Sequence, residues 1–401
     1  MIEIPKIKPS IIITAGYPAF LLALLIFYPT NYARDLLWII IILLGLFYRR
    51  YCLVELKSLV VRPIFISGMV LFSYVMASGF WSTPPVLAGP VRQIQDGLGL
   101  FAFWLLSYLY FRQGSFTHRD ICLVLVAGIL GNLMLAWYFG HELFPCDLRL
   151  TGYGTLGNPI FLAAVAVIQL LFALYMPAET TFAKFLRMML VTAAIIAVVL
   201  SGSRGPILAA SAVAIIWFIW ASQFSLRQKA VIGILAIVLI IVSVIALKNH
   251  ETPMISRGLS LRPLIWHATL EASKDKWLIG WGWTNDFARS AVNENIINQI
   301  DTVIPHPHSL LISSIYYGGV IGLLIHLAFF ISVALKARCS PRKGFAFAIL
   351  TVILLMTLFD FYNIVVSRSS MWIMFWLPVA ALMGERQPPF QPALRENERT
   401  F

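Results

Sequence analysis

The sequence predicts an all-α polytopic membrane protein, and three features predict it. Charged residues make up only 12% of the chain and hydrophobic ones 60%, whereas a soluble domain carries roughly 25% charge. The mean hydropathy is +0.84. Apolar runs recur from end to end, many of them near the ~20 residues that a helix needs to cross a ~30 Å bilayer core. These runs do not alternate polar and apolar residues, as the strands of a membrane barrel must.

In chain order, about 12 spans are expected, near 11–28, 36–48, 62–80, 97–111, 121–139, 158–176, 183–200, 206–221, 230–247, 309–335, 344–364 and 370–384. The second is short and is expected to extend to either side. The first follows Lys6 and Lys8 in the manner of a secretory leader. It continues into Tyr28-Pro29-Thr30 with no small-residue cleavage site, so it reads as a retained anchor. The chain then divides into nine transmembrane helices over 1–247, one long loop over 248–308, three more helices over 309–384 and a disordered tail over 385–401. Within the loop, Arg262 to Ala272 form an amphipathic stretch with Pro263 suited to a first helical turn. Trp277, Trp281 and Trp283 follow around Gly280 and Gly282, a composition expected where a chain returns to the headgroup region.

Basic residues set the orientation. With the N-terminus inside, 19 of the 30 Lys and Arg fall on the cytoplasmic side and five, Arg34, Arg92, Arg149, Arg204 and Arg368, in short outer loops. Six lie in the long loop, where charge is poor topology evidence. Both termini are therefore expected inside and the long loop outside, on the periplasmic face of a bacterial inner membrane. The formal charge of +12 is thus a topology signal, and with no soluble basic domain a nucleic-acid partner is not expected. Of the four cysteines, only Cys146 faces outward in this arrangement, so no internal disulfide is expected.

All five short-loop outer cations are Arg, whose planar guanidinium makes bidentate contacts to phosphate oxygens. The alternative for any one of them is a lipid headgroup contact. Arg204 stands out because Ser201-Gly202-Ser203-Arg204-Gly205-Pro206 is a tight turn that opens a helix. A helix N-terminus favours anions, so this turn is a candidate phosphate cradle. A plain interhelical turn is the competing reading. Pro305-His306-Pro307-His308-Ser309 precedes the tenth span, with Gly318-Gly319 further along it. The two histidines lack a local third metal ligand. A helix N-terminus and nearby arginines disfavour imidazolium, leaving a neutral ring able to accept a proton. A merely interfacial His is the alternative. Outward acids are scattered, without paired carboxylates, so neither a metal nor another cofactor is expected. Asp360, placed deep in the eleventh span, is an intramembrane ionisable group whose partner the sequence does not name.

Ser203-Arg204-Gly205, Arg262-x-x-x-Trp266, Trp277-Leu278-Ile279-Gly280-Trp281-Gly282 and His308 with Gly319 occur in this order. Together they resemble the O-antigen ligase and polymerase superfamily, with the overall size of the ligases. One departure is Ser309, where members often carry Asn after the His. The resemblance implies a GT-C-type glycosyltransferase fold. It implies an enzyme that transfers O-antigen glycan from an undecaprenyl diphosphate carrier to the lipid A-core oligosaccharide, completing lipopolysaccharide without a metal and with inversion. On that reading Arg204, Arg262 and His308 are the catalytic candidates. His306, Arg92, Arg149, Arg257 and Arg368 form a second tier that binds diphosphate or sugar. A polymerase or a protein O-oligosaccharyltransferase of the same superfamily is the near alternative. From another class, a transporter of an anionic or lipid-linked substrate would place its polar groups at mid-membrane.

Overall fold

A computed structural model describes residues 9–26, 31–83, 89–113, 118–145, 149–220, 225, 227, 262–290, 292–293, 303–366 and 369–385. The described elements are helical: α1 (Pro9–Ile26), α2 (Asn31–Val60), α3 (Pro63–Ser78), α4 (Gly89–Gln113), α5 (His118–Tyr138), α6 (Pro159–Leu174), α7 (Thr181–Leu200), α8 (Arg204–Trp220), α9 (Arg262–Ser273), α10 (Leu310–Arg338), α11 (Lys343–Phe359) and α12 (Leu377–Gly384). A π-helical turn, Trp372–Trp376, leads into α12. Five of the described helices are long and apolar enough to cross a membrane. Shorter apolar helices, including Pro159–Leu174, Arg204–Trp220 and Lys343–Phe359, pack among them. The chain is a polytopic helical membrane protein. The expected ninth span, 230–247, and the tail beyond 385 lie outside the described residues.

The core sits around α6. Every residue from Leu162 to Leu174 is buried, and Gln169 inside it donates its side-chain amide to the Leu190 carbonyl of α7. A polar group at that depth needs a partner. By contrast, α7 turns Ile195, Ile196 and Val199 outward, as a helix facing lipid does. A second packed layer joins α3, α4, α10 and the π-helical turn before α12 through Trp104, whose ring packs near those of Phe65, Phe72, Phe329 and Trp376. Gly68 makes room for it, because a Cβ there would lie 2.6 Å from the indole.

The connections sort themselves into two ends. At one end the 79–83 segment bonds to the 276–285 segment through Thr83 N–H to the Trp281 carbonyl and Lys276 Nζ to Thr83 Oγ1. Leu150 bonds to Leu200, and Gln93 to Val365. At the other end Arg62 donates to the Met383 carbonyl, Arg112 pairs with Glu55, and His118 meets Arg342 and the Tyr175 carbonyl. The loops expected outside thus lie together, as do those expected inside. Cys52, Cys122 and Cys339 are unpaired; Cys146 is outside the described residues.

The tenth span is not one continuous helix. Gly319 adopts φ 62° and ψ −164° and breaks α10. The Trp277–Gly282 segment enters the gap. Trp281 and Gly282 N–H donate to the Tyr316 and Tyr317 carbonyls, and Val320 and Ile321 N–H donate to the Trp277 and Leu278 carbonyls. The break therefore leaves these backbone groups satisfied, as an apolar setting demands. A Cβ at Gly319 would sit 2.4 Å from the Leu278 carbonyl carbon, and one at Gly280 as close to that of Tyr317. The tryptophan cluster consequently does more than meet headgroups. Trp277 is exposed, but Trp283 is buried and stacks on Tyr317, while Trp281 donates to the Ala272 carbonyl.

Candidate functional site

Four separate segments meet at the end of the bundle that carries the long loop. The first is the turn between α7 and α8. Gly202 takes φ 57°, a left-handed conformation that glycine adopts without penalty. Arg149 lies against this turn. It donates through Nε to the Ser201 carbonyl at 2.8 Å and through Nη2 to Ser203 Oγ at 2.7 Å. Ser201 Oγ accepts from Ser203 N–H. Arg204 follows as the first residue of α8, with its side chain exposed.

The second segment is the end of α11. The structure corrects the placement of Asp360. It is not deep in a span but at the residue that terminates α11, and its partner is Arg262. Arg262 Nη2 donates to Asp360 Oδ1 at 2.9 Å, with the carboxylate 2% exposed and the arginine 27%. Burial raises the Asp360 pKa, while Arg262 and then Arg149 oppose that rise. The second oxygen, Oδ2, lies against Gly205, where a Cβ would come within 1.8 Å of it. The carboxylate thus joins the first turn of α8 to the first residue of α9. A negative group beside a helix N-terminus is well placed electrostatically.

The third segment is α9 itself. Arg262 starts the helix with Pro263 behind it, and Trp266, one turn on, donates its indole N–H to the Pro307 carbonyl at 3.0 Å. That bond ties α9 to the fourth segment, Pro305 to Ser309. There His306 stacks on Tyr362 at 4.1 Å between centroids, and His308 lies 4.1 Å from the His306 ring. His308 has φ 57°, rare for a residue with a side chain. Burial first, and then the Arg262 charge, push its pKa down to about 4. The imidazole is therefore neutral near pH 7.

The structure brings Arg204, Arg149, Arg262, His306 and His308 to one end of the bundle. Arg92 stands exposed at the start of α4 at the same end, beside Gln93, which bonds to the Val365 carbonyl. Arg257 and Arg368 lie outside the described residues. Among the described residues no three His, Cys, Asp or Glu side chains come together as a metal cluster would. Sequence reasoning missed the Arg262–Asp360 pair and the Tyr362 platform. An isolated acid in an apolar run was the available signal for the first.

The fold and this site define a polytopic membrane protein with arginines and a neutral imidazole grouped at one end of the bundle. Two comparisons identify the relationship. Residues 188–327, which contain Arg204, Arg262, His308 and the break in α10 at Gly319, match the family described as O-antigen ligase. The chain is also 28% identical over 341 residues to an O-antigen ligase of Pseudomonas aeruginosa, covering 82% of this chain and 79% of that protein. The resemblance to the O-antigen ligases read from the motifs is thereby shown, and this family implies glycosyltransferase-type activity.

Proposed function

We propose that the protein is an O-antigen ligase that moves glycan from undecaprenyl diphosphate to a sugar hydroxyl of the lipid A-core, at the periplasmic face of the inner membrane. The observation that carries this reading is the largely buried His308 grouped with an Arg262 that Asp360 holds, at the same end of the bundle as the turn that leads into Arg204. Cleaving the bond between the sugar anomeric carbon and the phosphate oxygen leaves a lipid diphosphate, whose charge rises as the bond breaks. Arg204 and Arg262 stabilise that charge, and His308 takes the proton from the attacking acceptor hydroxyl. Direct displacement inverts the anomeric centre.

In this reading Arg149 is a positioning residue, because two of its guanidinium nitrogens bond to the turn before Arg204. His306, stacked on Tyr362, holds the segment that carries His308. Arg92, Arg257 and Arg368 remain as outer contacts for diphosphate or sugar. No step calls for a metal. The test is ligation in a purified system: undecaprenyl diphosphate-linked glycan and lipid A-core should be joined, and turnover should survive EDTA. Failure to form the ligated product with both substrates present overturns the assignment. Loss on chelation that a divalent metal restores overturns the metal-independent chemistry.

A further inference from the structure

The end of the bundle remote from this site holds a cavity of about 490 Å³ that the proposed reaction does not use. Three cations line it: Arg62 before α3, Arg112 at the end of α4 and Lys336 near the end of α10. Arg112 pairs with Glu55 at 3.7 Å. Among the described residues neither Arg62 nor Lys336 forms an ion pair. Arg62 instead donates to the Met383 and Ser58 carbonyls. Positive groups gathered around one cavity are stabilised by a counter-anion, and Arg with Lys is the donor set that phosphate esters take.

Two further features narrow the ligand. Ile64 and Leu335 form part of the wall, and beside them Val61, Ile331 and Leu335 itself are exposed apolar residues. The cavity therefore adjoins surface suited to acyl chains. On another side Glu385 accepts a hydrogen bond from Ser340 at Oε2, while its buried Oε1 has no hydrogen-bond partner. A ligand hydroxyl would satisfy that oxygen, and an acceptor-only group would not.

We propose that this cavity binds the headgroup of an anionic glycerophospholipid of the adjacent leaflet, with its phosphodiester on Arg62, Arg112 and Lys336 and a headgroup hydroxyl on Glu385. Phosphatidylglycerol has this chemistry. Basic pockets between spans are recognised sites for such headgroups.

Cys339 lines the same cavity and is exposed, so it reports occupancy in the unaltered protein. The experiment measures alkylation of Cys339 by N-ethylmaleimide, read by peptide mass spectrometry on delipidated full-length protein in detergent. Dihexanoyl-phosphatidylglycerol should slow the reaction saturably. In Arg62→Gln and Lys336→Gln the half-protecting concentration should rise about ten-fold, the loss of one charge-assisted contact. Dihexanoyl-phosphatidylcholine, which lacks the hydroxyls and the net charge, should protect only at much higher concentration. Equal protection by both lipids overturns the proposal, and so does protection that neither substitution changes. Equal protection by glycerol phosphate assigns the cavity to a soluble phosphate ester and overturns the lipid. If neither variant elutes as a monodisperse species, the comparison of the two lipids and glycerol phosphate on the unaltered protein decides.

Discussion

Gly205→Ala tests the junction between α8, α9 and α11 with a single methyl group. The new Cβ would stand 1.8 Å from Asp360 Oδ2 and 2.9 Å from its Cγ. Non-bonded carbon and oxygen need more than 3 Å, so the carboxylate must retreat by more than an ångström. Oδ1 moves with it, and the 2.9 Å bond to Arg262 opens. Breaking a fully buried ion pair costs ~3–5 kcal/mol. Arg262 keeps a quarter of its exposure, so the figure is discounted to about 2 kcal/mol. Asp360→Ala removes the same pair directly and should cost a similar amount. The two changes share one mechanism, so they should not add: with Asp360 already truncated, Gly205→Ala meets no carboxylate and should cost less than ~0.5 kcal/mol. The assay is a double-mutant cycle on thermal midpoints of the detergent-purified proteins, with ligation measured alongside. Additive losses would refute the proposed contact. So would a Gly205→Ala protein of unaltered stability.

Further outcomes concern His308, the two arginines and the topology. His308→Ala should leave donor affinity largely intact while lowering turnover by ~10²–10⁴. With the folded-state pKa near 4, the acid limb of kcat/KM should fall near pH 4; a limb at pH 6.5 would mean the ring is not the buried base described. The sign for stability follows from the same depression. The unfolded chain binds a proton at ~6.5 that the folded protein refuses down to about 4, so stability contributed by this group declines as pH falls through that window. Arg204→Lys and Arg262→Lys should each lose most ligation at unchanged net charge, because an ammonium does not reproduce the bidentate fork; full activity of the Arg204→Lys protein would remove the phosphate clamp. Single cysteines placed at 204 and at 286 should react with a membrane-impermeant thiol reagent once the outer membrane is permeabilised, and labelling only after inner-membrane lysis would reverse the topology.

The helices were legible wherever an apolar run was bounded by Pro, Gly or a pair of cations, because these residues end a span by backbone geometry or by their demand for water. Arg62-Pro63 and Asn158-Pro159 mark two such starts, and the Asn158 side chain caps α6 by accepting from Ile160 N–H. The order of Arg204, Arg262 and His308 along the chain was equally plain. What the sequence did not disclose is pairing across distance. Nothing near Asp360 in the chain points to Arg262, 98 residues away, nor does anything near Trp277 say that its carbonyl will accept from Val320 inside a broken helix. Hydropathy averages over such a break, since Gly318-Gly319 is apolar enough to pass for helix interior.

These two unpredicted pairings bear on how the site is built. Arg262 and His308 belong to the segments least constrained by the bilayer, yet each is fixed to the bundle by a polar contact: Arg262 to Asp360 at the end of α11, and the His308 segment to Trp266 through the Pro307 carbonyl. Trp266 lies one turn beyond Arg262 on the same helix. Displacing α9 would therefore move the guanidinium and release the imidazole segment together. The insertion of Trp277–Gly282 into α10 anchors the other side of that helix, because Trp281 bonds to the Ala272 carbonyl near its C-terminus. The break at Gly319 is thus a docking point for the C-terminal end of α9, and together with the Arg262–Asp360 pair it holds the helix at both ends. A continuous α10 would hydrogen-bond the Tyr316 and Tyr317 carbonyls within itself and leave α9 fixed at its N-terminus alone.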